Sequence, residues 1–176
     1  MSQINAYIPV KLFIGMISAR EKLFTESEQI LKQEYGPIDF KSNIIKFDFT
    51  DYYEKEIGKK LLRKFISFEK LVDPGNLADI KIFTNKTEAM SARRNGLRRI
   101  NLDPGYITEA NLILATAKGF QHRIYLNKGI FAEVTMRYEK GTFKPYDWTY
   151  TDYKTEEYIN FFKHVRGIYR QQLKRK

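Results

Sequence analysis

Seven side chains lie on or beside alternating stretches, most of them on the polar phase, and their types suit anion or metal chemistry. Asp48, Asp103 and Glu133 occupy the polar phase of alternating stretches. Carboxylates so placed are hard oxygen ligands of the kind Mg2+ or Mn2+ takes. Asp103 and Glu133 are also candidates for proton transfer. Arg63, Arg123 and Lys128 are candidates for gripping a phosphate or carboxylate, arginine through its planar fork. His122 is the candidate general acid–base group, since imidazole titrates near neutrality. Its strand register turns it toward the core with Ile124, which is the position of a buried, hydrogen-bonded histidine. Gly105 and Tyr106 follow Asp103-Pro104, and Tyr125 shares the polar phase with Arg123; these three complete the ligand-binding set.

Other chemistries lack their residues. The chain has no cysteine, which excludes disulfides, thiol nucleophiles and cysteine metal sites. It has no G-x-x-x-x-G-K-[ST], no G-x-G-x-x-G and no G-x-S-x-G. Its two histidines, His122 and His164, form no H-x-x-x-H pair for zinc. Asn85-Lys86-Thr87-Glu88 has the residue types of a guanine-reading element, but it falls in an expected mid-helix with no phosphate loop.

The elements that must position these residues are legible from period and punctuation. Residues 11–17 are an unbroken apolar run, as in a strand buried on both faces. Ser18 and Glu21 have the spacing of a capping box, and the following helix ends at Gly36-Pro37. Residues 43–49 and 61–71 read as strands. A helix capped by Asn76 carries Leu77, Ile80, Phe83, Thr87 and Met90 inward. Residues 98–103 read as a strand, and Thr108 opens a short helix ending at Gly119. A hairpin pairs 121–126 with 130–138 around Asn127-Lys128-Gly129, setting Ile124 against Ala132, Tyr125 against Phe131, Arg123 against Glu133 and His122 against Val134. A strand near 142–146 follows. The last helix starts at Thr155 and buries Tyr158, Phe161, Phe162, Val165, Ile168 and Tyr169.

The first six elements follow the ferredoxin-like order strand, helix, strand, strand, helix, strand. The expected fold is therefore α+β: one domain over residues 1–176, with a mixed sheet and helices packed on it, the start extended by a helix, a hairpin and a closing helix. Its polar sheet face would hold Lys46, Asp48, Arg63, Glu69, Asn101, Asp103, Arg123, Glu133 and Thr135. Phe65, Tyr125 and Phe131 share that face, which points to partial cover, and covered charges must be paired or functional. Residues 51–56 read as a lid or a capped turn. Asp73-Pro74-Gly75 and Asp103-Pro104-Gly105 read as two turns into helices, where backbone N–H groups can hold an anion. The aromatic segment 146–153 suits either base stacking or packing over a core edge.

Charge narrows the partners. The 176 residues carry a net charge of +10. The first half has 14 basic and 13 acidic side chains, the second 17 and 8. Such an imbalance favours an anionic partner. The first reading is a phosphorylated small molecule or nucleotide held on the polar face. The alternative is a basic module for RNA or ribonucleoprotein, using Lys163, Arg166, Arg170 and Lys174 with Arg93, Arg94, Arg98 and Arg99. No stretch approaches a membrane span and no secretory pattern opens the chain, so the expected compartment is the cytoplasm.

Five segments resemble one family when taken in order: Phe47 to Tyr53, Ser67 to Leu71, Asn101 to Tyr106, His122 to Leu126, and Trp148 to Tyr150. Together they make the chain similar to the prokaryotic family Domain of Unknown Function 4416 over nearly its full length. The resemblance implies a small stand-alone cytoplasmic protein with an Asp-Pro-Gly motif, here Asp103 to Gly105. It implies no established activity.

Overall fold

The computed structural model describes residue 3 and residues 6–175. Strand β1 (Lys11–Ser18) is buried at all eight positions, as an apolar run without alternation demands. It lies inside a sheet formed with β2 (Ile38–Lys41), β3 (Ile45–Lys46), β4 (Leu62–Phe68), β5 (Ile100–Ile107), β6 (Asn111–Thr116), β7 (Ile124–Asn127), β8 (Ile130–Glu139) and β9 (Thr142–Pro145). The order is β2-β4-β1-β5-β6-β8-β7, with β3 also on β4 and β9 also on β8. The segment β2-β4-β1-β5 has the split order of the expected ferredoxin-like start. The sheet is antiparallel rather than mixed: each pairing among the described residues runs antiparallel. The fold is α+β.

Helices cover both faces. Helix α1 (Glu21–Tyr35) and α2 (Leu77–Met90) pack on Leu12, Ile14, Met16, Ile66 and Leu102. Helix α3 (Glu156–Lys174) packs on the other face, against Phe13, Phe65 and Leu112. The rings of Phe13 and Phe162 meet edge to face at 5.0 Å. Each large side chain so buried contributes about 1.5–3 kcal/mol. Thr155 caps α3, its hydroxyl accepting from the Tyr158 N–H. Among the described residues no helix is long and apolar enough to cross a membrane.

Several local expectations fail for identifiable reasons. The Ser18 hydroxyl donates to the Arg99 carbonyl and accepts from the Arg20 N–H, so no capping box forms and α1 starts at Glu21. The expected helix from Thr108 is a tight turn followed by β6. The Thr108 hydroxyl accepts from the Ala110 and Asn111 N–H groups, a local bond that competes with helix. A short apolar run such as Leu112 to Ala115 cannot be told from a buried helix by period alone. Asp103-Pro104-Gly105 lies inside β5 and is not a turn, whereas Asp73-Pro74-Gly75 does turn into α2, with Asp73 accepting from the Gly75 N–H. The segment 43–49 keeps only β3 as strand, and β2 was not foreseen. Met90 is 75% exposed. In the hairpin, Ile124 faces Ala132 and Tyr125 faces Phe131 as expected. A register shift then pairs Asn127 with Ile130, around Lys128 and Gly129 at φ 52° and 78°. His122 and Arg123 lie before β7, so neither pairs across the ladder.

Candidate functional site

A cavity of about 730 Å³ opens on the α3 face of the sheet, beyond the N-terminal end of that helix. Its floor depends on Gly15 in β1, which faces Phe65 of β4 and Asp103 of β5. With no side chain at 15, the Arg63 guanidinium lies across β1 and comes 3.6 Å from Asp103. A Cβ at 15 would stand 2.9 Å from both Arg63 Nη1 and Phe65 Cε1. Arg63 is only 3% exposed. Its Nη2 donates to Asp152 at 2.8 Å and its Nε to the Tyr158 hydroxyl at 3.3 Å. The rings of Phe47, Phe65, Tyr153 and Tyr158 surround it at 5.0–5.7 Å, a cation–π cage. Among the described residues, Arg63 Nη1 and the Tyr153 hydroxyl have no hydrogen-bond partner, although both are buried.

One side of the cavity is a gap in the sheet. Strands β5 and β6 pair only from Gly105 opposite Leu114 to Ile107 opposite Leu112. Their contact is so close that a Cβ on Gly105 would meet the Ile113 carbonyl at 2.3 Å. Beyond Pro104, which has no N–H to give, the strands part. Side chains of α2 take the place of the missing ladder. Glu88 accepts from the Leu102 N–H at 2.7 Å, and Lys81 donates to the Leu102 carbonyl at 2.9 Å. Lys81 also sits 3.7 Å from Asp103. Asn101 donates to Asp103 at 2.7 Å.

The roof is the loop between β3 and β4, contributing Phe47, Phe49, Tyr52 and Tyr53. Glu56 fastens it, since Arg98 binds both its carboxylate oxygens at 2.7 Å. Arg98 also donates to Glu88 and to Asn101, each at 2.9 Å. Lys118 bonds the Tyr52 hydroxyl across the mouth. The opposite wall is Glu133, 2% exposed, whose Oε2 accepts from Arg123 at 2.9 Å and meets His122 Nε2 at 3.0 Å. Arg123 continues to the Tyr150 hydroxyl at 2.8 Å. The His122 ring stacks on Trp148, which stacks on Tyr146.

Burial and charge tune these groups. Burial works against the Arg63 charge, but the surrounding phenols and the Asp152 and Asp103 carboxylates outweigh it and hold its pKa above the usual value. Burial raises the Tyr153 and Tyr53 phenols, and pushes Tyr158 up to about 12. Burial also raises Glu88, against the pull of Lys81 and Arg98. The Arg98 bonds hold Glu56 below the usual carboxylate range.

The expected site residues divide. Arg63, Asp103 and Glu133 line one cavity, and Arg123 and His122 stand behind Glu133. Asp48 does not join them: its side chain is 58% exposed and pairs with Lys46. The expected Asp48–Asp103–Glu133 metal set is therefore not assembled. Asp103 and Glu133 are each already answered by cationic side chains, so the donor set present does not fit Mg2+. Gly105 serves strand packing, and Tyr106 packs with Leu77, Ala78 and Ile113 away from the cavity. Tyr125 is exposed against Phe131, and Lys128 pairs with Asp79 at the surface. His122 lies partly covered on Trp148 instead of in the core. Several of the basic residues are also engaged: Arg166 lies over Tyr138, Arg170 pairs with Glu109, and Arg93 donates to the Ile57 carbonyl.

Sequence reasoning missed Gly15, Lys81 and Glu88, and left Asp152 and Tyr153 unresolved within an aromatic segment. Helical spacing places Lys81 and Glu88 one residue from the inward positions Ile80 and Thr87, which is the available signal. Nothing local marks Gly15.

No curated protein and no solved structure matches the chain. The match to a known family is instead by family model, over residues 8–169. The chain thus belongs to the family described as a domain of unknown function, DUF4416.

Proposed function

We propose that the cavity binds a phosphorylated or nucleotide-type anionic ligand. The observation that carries this reading is Arg63 Nη1: a buried cationic donor of a cavity-lining residue, with no hydrogen-bond partner among the described residues and Asp103 standing 3.6 Å away. A buried donor left unpaired costs about 1–3 kcal/mol, more when charged, and an anion in the cavity relieves that cost. Lys81 adds an ammonium whose three donors are not exhausted by one carbonyl. The Tyr153 hydroxyl adds a third group without a hydrogen-bond partner among the described residues. The volume suits a small ligand, since such sites span roughly 300–1,000 Å³, and the aromatic roof offers surface to a ring.

Thermal shift with inorganic phosphate and nucleotides tests this. Ligand at a hundredfold its Kd adds about 2.7 kcal/mol. In a chain of this size that raises Tm by about 5–10 °C. Lys81→Met, if it weakens binding about tenfold, should cut that stabilisation to about half at the same ligand concentration. Absence of any shift at millimolar ligand refutes the reading. So does an undiminished shift in Lys81→Met, because the ligand would then sit elsewhere.

A further inference from the structure

Resting on that reading, the charge inventory of the cavity narrows the ligand class. The carboxylates facing the space are each already matched. Asp152 is held by Arg63 at 2.8 Å, Glu88 by Arg98 at 2.9 Å and Glu133 by Arg123 at 2.9 Å. Asp103 lies 3.6 Å from Arg63 and 3.7 Å from Lys81. The interior is thus balanced charge for charge, and the +10 of the whole chain is not concentrated in it. What lacks hydrogen bonds is a set of donors, with no surplus of charge: the buried Arg63 Nη1 and Tyr153 hydroxyl, and the remaining Lys81 hydrogens.

We infer that the ligand is a monophosphate on a flat ring-bearing body, of the nucleoside monophosphate class, and not a triphosphate. Arg63 from β4 and Lys81 from α2 flank Asp103, and Tyr153 lines the same cavity from the segment before α3, a donor set suited in number to the three oxygens of one phosphate. A carboxylate has only two oxygens to offer them. A triphosphate brings two further phosphates, and enzymes that use one hold it with a bound divalent ion and a dedicated loop. Among the described residues no carboxylate pair lining the cavity is left free of cations to hold such an ion, and the sequence has no phosphate loop. The ring finds its place on the opposite side, where Phe47, Phe49, Tyr52 and Tyr53 form the roof.

The test is calorimetric titration of the full chain with AMP, GMP, inorganic phosphate, and ATP or GTP with Mg2+. At least one monophosphate should bind about tenfold or more tightly than its triphosphate. Lys81→Met should weaken the monophosphate by about tenfold or more, the loss expected for one hydrogen bond to a charged group. Triphosphate binding as tight as monophosphate overturns this inference and leaves the anion reading standing. Phosphate binding without any nucleotide preference overturns the ring assignment alone. Failure of every probe to bind removes the anion reading itself, and this inference with it.

Discussion

Substituting Gly15 by alanine puts the floor of the cavity to a quantitative test. The new methyl carbon would sit 2.9 Å from Arg63 Nη1, 2.9 Å from Phe65 Cε1 and 3.2 Å from Phe65 Cδ1. Neither neighbour can easily withdraw. Phe65 is fully buried, 4.6 Å from Tyr158 and 5.2 Å from both Phe161 and Phe162. Arg63 is pinned by Asp152. Overpacking of this kind costs about 2–3 kcal/mol. Alanine returns about 0.5–1 kcal/mol through the lower entropy of its unfolded chain. The net loss of about 1–2.5 kcal/mol corresponds to a Tm decrease of about 2–10 °C. Differential scanning calorimetry measures it, with Gly167→Ala as the control. Gly167 lies within α3 with nothing within 4 Å, so alanine there should stabilise by up to about 1 kcal/mol. If Gly15→Ala melts within about 1 °C of the parent, the trough does not need its glycine and the account of Arg63 is wrong.

Three further outcomes are expected. Gly105→Ala should be harsher than Gly15→Ala by calorimetry, about 3 kcal/mol or more, because its Cβ would meet a backbone oxygen at 2.3 Å that only strand separation can move; equal losses would contradict the seam geometry. Arg63→Met should cost about 3–5 kcal/mol in chemical denaturation by leaving Asp152 buried and unpaired. The double variant with Asp152→Asn should recover part of that loss, and strictly additive losses would deny the pair. Glu56 has a folded pKa below the ordinary 4.5, so its bond to Arg98 stabilises above that pH and is lost as pH falls through the lower folded value. The parent should therefore exceed Glu56→Gln by about 1 kcal/mol near neutrality, with the gap closing below pH 4.5; a gap that widens on acidification reverses the sign and refutes it.

How much of this was legible depends on whether a residue's neighbours in space announce themselves nearby in sequence. The buried strand β1, helix α3 with its Thr155 cap, and the ferredoxin-like start follow from local period and punctuation. Arg63, Asp103 and Glu133 were found because alternation fixes the face even when the sheet order is unknown. Asp48 was misplaced because its strand stops at Lys46, so the alternation that put it on the polar face no longer applied. The α2 residues Lys81 and Glu88 were missed because their function arises only where β5 and β6 part. That separation begins at a proline, next to a glycine that lets the strands close, and the same dipeptide elsewhere marks a turn. Tertiary pairing made Asp103-Pro104-Gly105 a strand, a decision no window of that length contains.

The guanidinium of Arg98 joins Glu56 on the roof, Glu88 on α2 and Asn101 at the start of β5. One planar group is therefore the keystone of three chain segments. Raising the lid means withdrawing that keystone, which strands Glu88 in a medium hostile to its charge and loosens its hold on the Leu102 amide. Entry to the chamber and integrity of the torn sheet beneath it are thus mechanically one property.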